Sequence, residues 1–219
     1  MVKSLDKFIK SKKTNNAVKK IIYMLITFIS FSACSNLENM TDKEISLINN
    51  GSIDTPYRVL QTDNKEDSLF LRQNSIDLDI NSITNDKELQ FFIERLKLTL
   101  AVESGVGIAA PQVGIGRNLF LFMRIDKPEM PVEVAINPKI VNHPDDIFCF
   151  EGDGCLSVPG LSGVSKRYEW IDVEYFNEKG ELIKERLSGN SRRGDFTGII
   201  FQHEFDHLQG VLFIDKLCK

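Results

Sequence analysis

Two of the three histidines in this chain stand four residues apart, in His203-Glu204-Phe205-Asp206-His207, and no other feature constrains the chain as much. On a helix, positions i and i+4 share one face, so both imidazoles can reach a single metal ion. The glutamate after the first histidine then lies beside the metal's open position, where it can take a proton from water. Two histidines satisfied by hydrogen bonds inside a core would give the same five residues. The surrounding pattern predicts a helix from about Asp195 to Gln209, stopped by Gly210. Phe196, Ile199, Ile200, Phe201, Phe205 and Leu208 put apolar groups nearly all round it. Such a helix is central and buried, so the fold must be built about it.

A catalytic metal normally takes three protein ligands and leaves one place for water. Cys155 is the candidate third, in Glu151-Gly152-Asp153-Gly154-Cys155-Leu156-Ser157-Val158-Pro159-Gly160, where glycines let the backbone turn and approach a ligand. In isolation it would read as a small buried hydrophobe. Cys149 and Cys218 lack such a setting and read as structural. Four cysteines (these three and Cys34) are too few and too irregular for a disulfide framework, and a reducing compartment is the simpler expectation for the globular part. His143, before Pro144, reads as a solvated loop residue. A third stretch, Gly105-Val106-Gly107-Ile108-Ala109-Ala110-Pro111-Gln112, is dense in small residues. It is either a tight helix-to-strand connection or backbone passing close to a ligand, and Gln112 offers an amide donor for a developing oxyanion.

Elsewhere, Leu89, Phe92, Ile93, Leu96 and Leu100 mark one face of a helix over about 86–103, with Asn85 and Glu88 as its cap and Gly105 as its end. Strands are expected at Asn118–Arg124, Val132–Val141, Trp170–Phe176 and Glu181–Leu187, the last two joined as a hairpin through Asn177-Glu178-Lys179-Gly180. Strands with segregated helices define an α+β domain, here with antiparallel strands packed around the buried C-terminal metal-binding helix. Fifteen Phe against one Trp and four Tyr indicate a Phe-rich core. A net charge of −4 gives no basic excess, so direct nucleic-acid binding is not expected.

The N-terminal part differs in kind. Residues 1–34 run from a lysine-rich stretch through a 13-residue, mostly apolar segment, Ile21 to Ala33, to Cys34. This has the layout of a secretory signal, and Ser-Ala before Cys34 resembles a bacterial lipoprotein cleavage site. A plain N-terminal extension, or an upstream start codon that is not used, is the alternative. Residues 35–55 read as a polar linker, and the globular domain is expected over 56–219, from Pro56-Tyr57 onward.

The three motifs, in this order, resemble those of peptide deformylases: Gly-Val-Gly-Ile-Ala-Ala-Pro-Gln, Gly-Cys-Leu-Ser-Val-Pro-Gly and Gln-His-Glu-Phe-Asp-His-Leu-Gln-Gly. One position departs from the family pattern: Asp153 stands where a glutamate is usual two residues before the cysteine, its reach one methylene shorter. The resemblance implies a deformylase-like fold and removal of formyl from the formyl-methionine of newly made polypeptides, in the cytoplasm and at the ribosome. It implies Cys155, His203 and His207 as ligands of Fe²⁺, with Zn²⁺ or Ni²⁺ as substitutes. Glu204 would move the proton, and the Gln112 side chain and the Leu156 N–H would stabilise the oxyanion. Phe196, Ile199 and Ile200, seven, four and three residues before His203, share its helix side and could line a methionine pocket. The resemblance adds Val106, Gly107 and Gly154 to the substrate contacts, the peptide pairing as an added strand near Gly107. Two other readings are open: a non-catalytic peptide-binding relative, and an exported metallohydrolase of other specificity. The N-terminal segment could also contact a membrane.

Overall fold

The computed structural model describes residues 40–219; the signal-like segment read at 1–34 lies outside them. Seven strands and four α-helices follow one another: α1 Asp42–Ile48, α2 Lys65–Leu71, α3 Lys87–Val102, β1 Gly107–Ala109, β2 Leu119–Met123, β3 Val132–Asn142, β4 Phe148–Cys155, β5 Val158–Arg167, β6 Trp170–Phe176, β7 Leu182–Ser188 and α4 Thr197–Leu208. The main sheet is antiparallel, in the order β1-β2-β3-β6-β7, and β4 pairs with β5 as a separate hairpin. The fold is α+β, as the sequence leads one to expect. Among the described residues no helix is long and apolar enough to cross a membrane.

The sheet is covered on both faces, and β2 shows why its residues are almost all apolar. Leu119 and Leu121 pack with Phe92, Ile93, Leu96 and Leu100 of α3. Phe120 and Phe122, pointing the other way, pack against α4. Phe201 of α4 meets Phe120 and Phe122 edge-on, ring centres 4.8 and 5.3 Å apart. Truncating so enclosed a ring to alanine would cost on the order of 3–5 kcal/mol. Every residue of α4 except Phe205 is buried, so the helix carrying the histidines is the axis of the domain.

Several expectations need correction. The start of α3 is capped by Asp86, whose side chain accepts from Leu89 N–H, and not by Asn85. Its end is a Schellman-type turn with Ser104 in the left-handed conformation (φ 54°), and Gly105 N–H bonds to Leu100 O. Within the stretch read as a linker, α1 is an ordered helix. Thr41 and Glu44 form a capping box, Glu44 pairs with buried Arg117, and Ile48 is fully enclosed. Its few apolar residues gave too short a pattern to register as a helix.

Cys149 and Cys218 are not separate structural thiols. They form a disulfide that ties the start of β4 to the chain end, 69 residues later in sequence. The reducing-compartment expectation for this part of the chain is therefore not supported. Two isolated cysteines so far apart gave no spacing signal, because the tail reaches β5 only by tertiary pairing: Leu217 bridges Ser165, and Cys218 N–H bonds to Val164 O.

Candidate active site

The Gly-rich stretch expected to turn around a ligand is instead strand, and an irregularity in it sets the site. In β4, Glu151 pairs with Val164 and Asp153 with Gly163, so Gly152 is an extra residue, a β-bulge at φ +78°. The bulge breaks the two-residue alternation. Phe150 and Asp153 therefore both face inward, and Asp153 is directed at α4. Cys155 ends the strand, and Leu156-Ser157 makes the two-residue turn into β5.

Cys155, His203 and His207 each offer a ligand atom, and these atoms lie within 4.8 Å of one another. Cys155 Sγ is 3.2 Å from His207 Nε2. His203 Nδ1 lies 2.9 Å from Asp153 Oδ1, a contact that orients the ring and leaves Nε2 as the candidate ligand atom. Asp153 Oδ2 accepts from Ser165 Oγ (2.6 Å) and from Arg167 (2.7 Å). Arg167 also donates to Asp206, which accepts in turn from Lys216. Burial opposes the charge on Asp153, yet His203 and Arg167 hold its carboxyl well below the usual carboxylate range. Burial also opposes ionisation of Cys155, but the adjacent imidazoles bring its thiol well below the ordinary value, towards the thiolate that a metal needs.

Glu204 is buried with Oε2 unpartnered, and burial pushes its carboxyl up to about 7. Gly107 in β1 passes directly over it: a Cβ there would overlap the Glu204 carboxylate, with Cδ and Cγ at 2.8 Å. On the other side is Gln112, in a short 3-10 turn, Ala110–Val113, after β1. Ala109 N–H donates to its Oε1, which turns its NH₂ towards Ser157 Oγ (3.2 Å) and Cys155 Sγ (3.7 Å).

A cleft of about 300 Å³ opens over this group. Its lining includes Val106, Gly107, Gln112, Gly154, Cys155 and Leu156, then Phe196, Ile199, Ile200, His203 and Glu204. The structure thus brings the sequence-derived candidates together around one cavity, except that His207 is outside the lining and meets it through Cys155. It adds Phe150 and Arg192 to the lining and Ser165 and Arg167 behind Asp153. Of these, Arg167 had no sequence signal, because its partners lie 14 and 39 residues away. His143 is exposed, stacked on Tyr168 at 3.9 Å and outside this lining.

A helix bearing two histidines, a hairpin bearing a cysteine and a glycine strand over a glutamate define a metallohydrolase of one specific kind. Residues 56–219 match the polypeptide deformylase family model, and the chain belongs to that family. Peptide deformylase 2 of Nostoc sp. is 45% identical over 140 residues, which is 61% of this chain and 74% of that one. The peptide deformylase of Thermotoga maritima is 42% identical over 132 residues, 60% of this chain and 74% of that one. Its crystal structure aligns with a TM-score of 0.63 and 32% identity, covering 75% of this chain and 99% of that one. A Met-Ala-Ser-bound class I type b peptide deformylase from Acinetobacter baumannii aligns with a TM-score of 0.64 and 29% identity, over 75% and 99% of the two chains. The protein is accordingly a metal-dependent hydrolase that removes the formyl group from N-terminal formyl-methionine.

Proposed function

We propose that Cys155, His203 and His207 hold Fe²⁺, with Zn²⁺ or Ni²⁺ as substitutes, and that the substrates are formylated nascent peptides. The observation that carries the reading is the convergence of one thiol and two imidazoles within 4.8 Å, beside a buried carboxylate oxygen with no partner. A thiolate and two neutral imidazoles suit a first-row divalent ion, and three such donors leave a place open. When bound, the metal supplies Lewis acidity and makes water acidic enough to act near neutral pH.

The chain's residues do the rest. Glu204 takes the proton of the attacking water and delivers it to the departing amine, a role suited to a carboxyl held near 7. Gln112 NH₂, oriented by Ala109, and the Leu156 N–H stabilise the oxyanion on the formyl carbon. Phe196, Ile199, Ile200 and Val106 enclose the methionine side chain, while the glycines at 107 and 154 admit the peptide backbone. The outer edge of β1 has no strand beside it among the described residues, so an extended peptide can add there. The test is formate release from formyl-Met peptides by anaerobically prepared Fe²⁺ protein. A metal-loaded protein that releases none would refute the reading.

By its substrate the enzyme would work on chains leaving the ribosome, in the cytoplasm, with membrane contact limited to the N-terminal segment. The Cys149–Cys218 disulfide favours a second reading, in which the same chemistry operates in an oxidising compartment reached through the signal-like residues 1–34. Mass spectrometry of the native protein separates the two. A diacylglyceryl group on Cys34 with Cys149 and Cys218 oxidised supports export. An unprocessed N-terminus with both thiols free supports the cytoplasm.

A further inference from the structure

The loop between β7 and α4 contains two adjacent arginines, Arg192 and Arg193. Arg192 is exposed, yet it lines the active cleft. It also lines a neighbouring groove of about 650 Å³, together with Phe150, Glu151, Gly152 and Arg193. Its stem lies across the bulge: Cδ and Nε are 3.4 and 3.5 Å from where a Gly152 Cβ would be. Its guanidinium is held 5.5 Å from the centre of the Phe196 ring. Among the described residues neither Arg192 nor Arg193 has an ion-pair partner. None of the acidic groups in the two linings forms an ion pair with Arg192. Asp153 is bound to Arg167, Glu204 is buried, and Glu151 is exposed in the groove.

A formylated N-terminus carries no charge, so only later parts of the peptide can answer a cation. In an extended chain, side chains alternate, and the third residue points to the same side as the first, roughly 7 Å further on. If the methionine packs on Phe196, the third residue comes out at the rim, where Arg192 lies against that same ring. We propose that Arg192 is a specificity determinant that pairs with a carboxylate at the third residue of the substrate. The carboxylate is either an acidic side chain or, in a tripeptide, the C-terminus. The inference rests on the reading of the cleft as the peptide site.

The experiment compares four substrates on the Fe²⁺ enzyme at low and high salt: formyl-Met-Ala-Glu-amide, formyl-Met-Ala-Ser as free acid, formyl-Met-Ala-Ser-amide and formyl-Met-Ala-Lys-amide. The expected result is a kcat/KM for the carboxylate-bearing peptides roughly two- to fivefold above Ser-amide, carried by KM and reduced by salt, with Lys-amide below it. The Glu-amide and free-acid arms tell a side chain from a chain end. Within Arg192→Gln the ratio between charged and neutral peptides should fall to about one, and within Arg192→Glu it should invert. Ratios taken within one variant cancel differences in folding or metal loading. Equal rates on all four peptides, or a preference that survives in Arg192→Gln, would overturn the proposal. Failure of Ser-amide to be deformylated at all would instead count against the cleft as the peptide site.

Discussion

Asp153 grips His203 through one carboxylate oxygen, 2.9 Å from Nδ1, while Ser165 and Arg167 claim the other. The shorter side chain at this position is thus matched by a small hydroxyl on the facing strand, two residues beyond Gly163, the register partner of Asp153. Lengthening it should crowd Ser165, whose Oγ is only 2.6 Å away in a fully buried pocket. Asp153→Glu is expected to lose activity and about 1–3 kcal/mol of stability, as overpacked sites do. Asp153→Glu combined with Ser165→Ala should recover most of both. Thermal unfolding and kcat/KM of the single and double variants check this, and a single variant as active as the parent would disprove the pairing.

Glu204→Ala should retain metal and lose roughly 10²–10⁴-fold in kcat, the usual worth of a positioned general acid–base group. Metal content is measured on the same sample. A fully loaded variant with near-normal turnover would remove Glu204 from the mechanism.

Gly107→Ala tests the same carboxylate from outside, since the new methyl would overlap three atoms of Glu204. The expected outcome is a fall in kcat comparable to Glu204→Ala with metal retained, and a loss of stability no larger than about 3 kcal/mol. Wild-type turnover in this variant would mean that Glu204 has room to move aside without consequence.

The three cysteines of the catalytic domain should separate cleanly. Cys155→Ala is expected to lose most bound metal, whereas Cys149→Ala and Cys218→Ala should keep it. Breaking the disulfide should instead cost roughly 2–4 kcal/mol, from the entropy of the opened loop, or a Tm lower by about 5–15 °C. Reductant should lower the Tm of the parent protein and leave that of the Cys149→Ser/Cys218→Ser variant unchanged. Equal metal content in all three alanine variants would undo the assignment.

The helices α3 and α4 and the strands β2, β3, β6 and β7 were legible in the sequence because each carries either a periodicity or a sustained apolar run over five or more residues. The candidate ligands were legible because the two histidines are one helical turn apart and Cys155 lies in a glycine-rich frame. The rest is made by long-range pairing or, in α1, by a helix too short to carry a pattern. The hairpin of β4 and β5 contains four glycines within its strands and a bulge at Gly152, so no alternation survives to be read. Arg167 looked like any surface arginine until the hairpin carried it to Asp153 and Asp206. Arg192 carries no sequence signal either, because a basic loop residue gains meaning only from the cavity it borders.

The disulfide closes a covalent ring from residue 149 to residue 218, and that ring contains Cys155, His203, Glu204 and His207 together. The unfolded oxidised chain therefore keeps the three candidate ligands at a raised mutual concentration, so metal recapture on refolding begins from a smaller conformational search. It also means that a single protease cut in the exposed loop at 190–194 would separate the cysteine ligand from the histidines in sequence but not in space. Such a nicked enzyme would run as one species without reductant and as two with it. Whether it still holds its metal would report directly on how much of the site is organised by the ring alone.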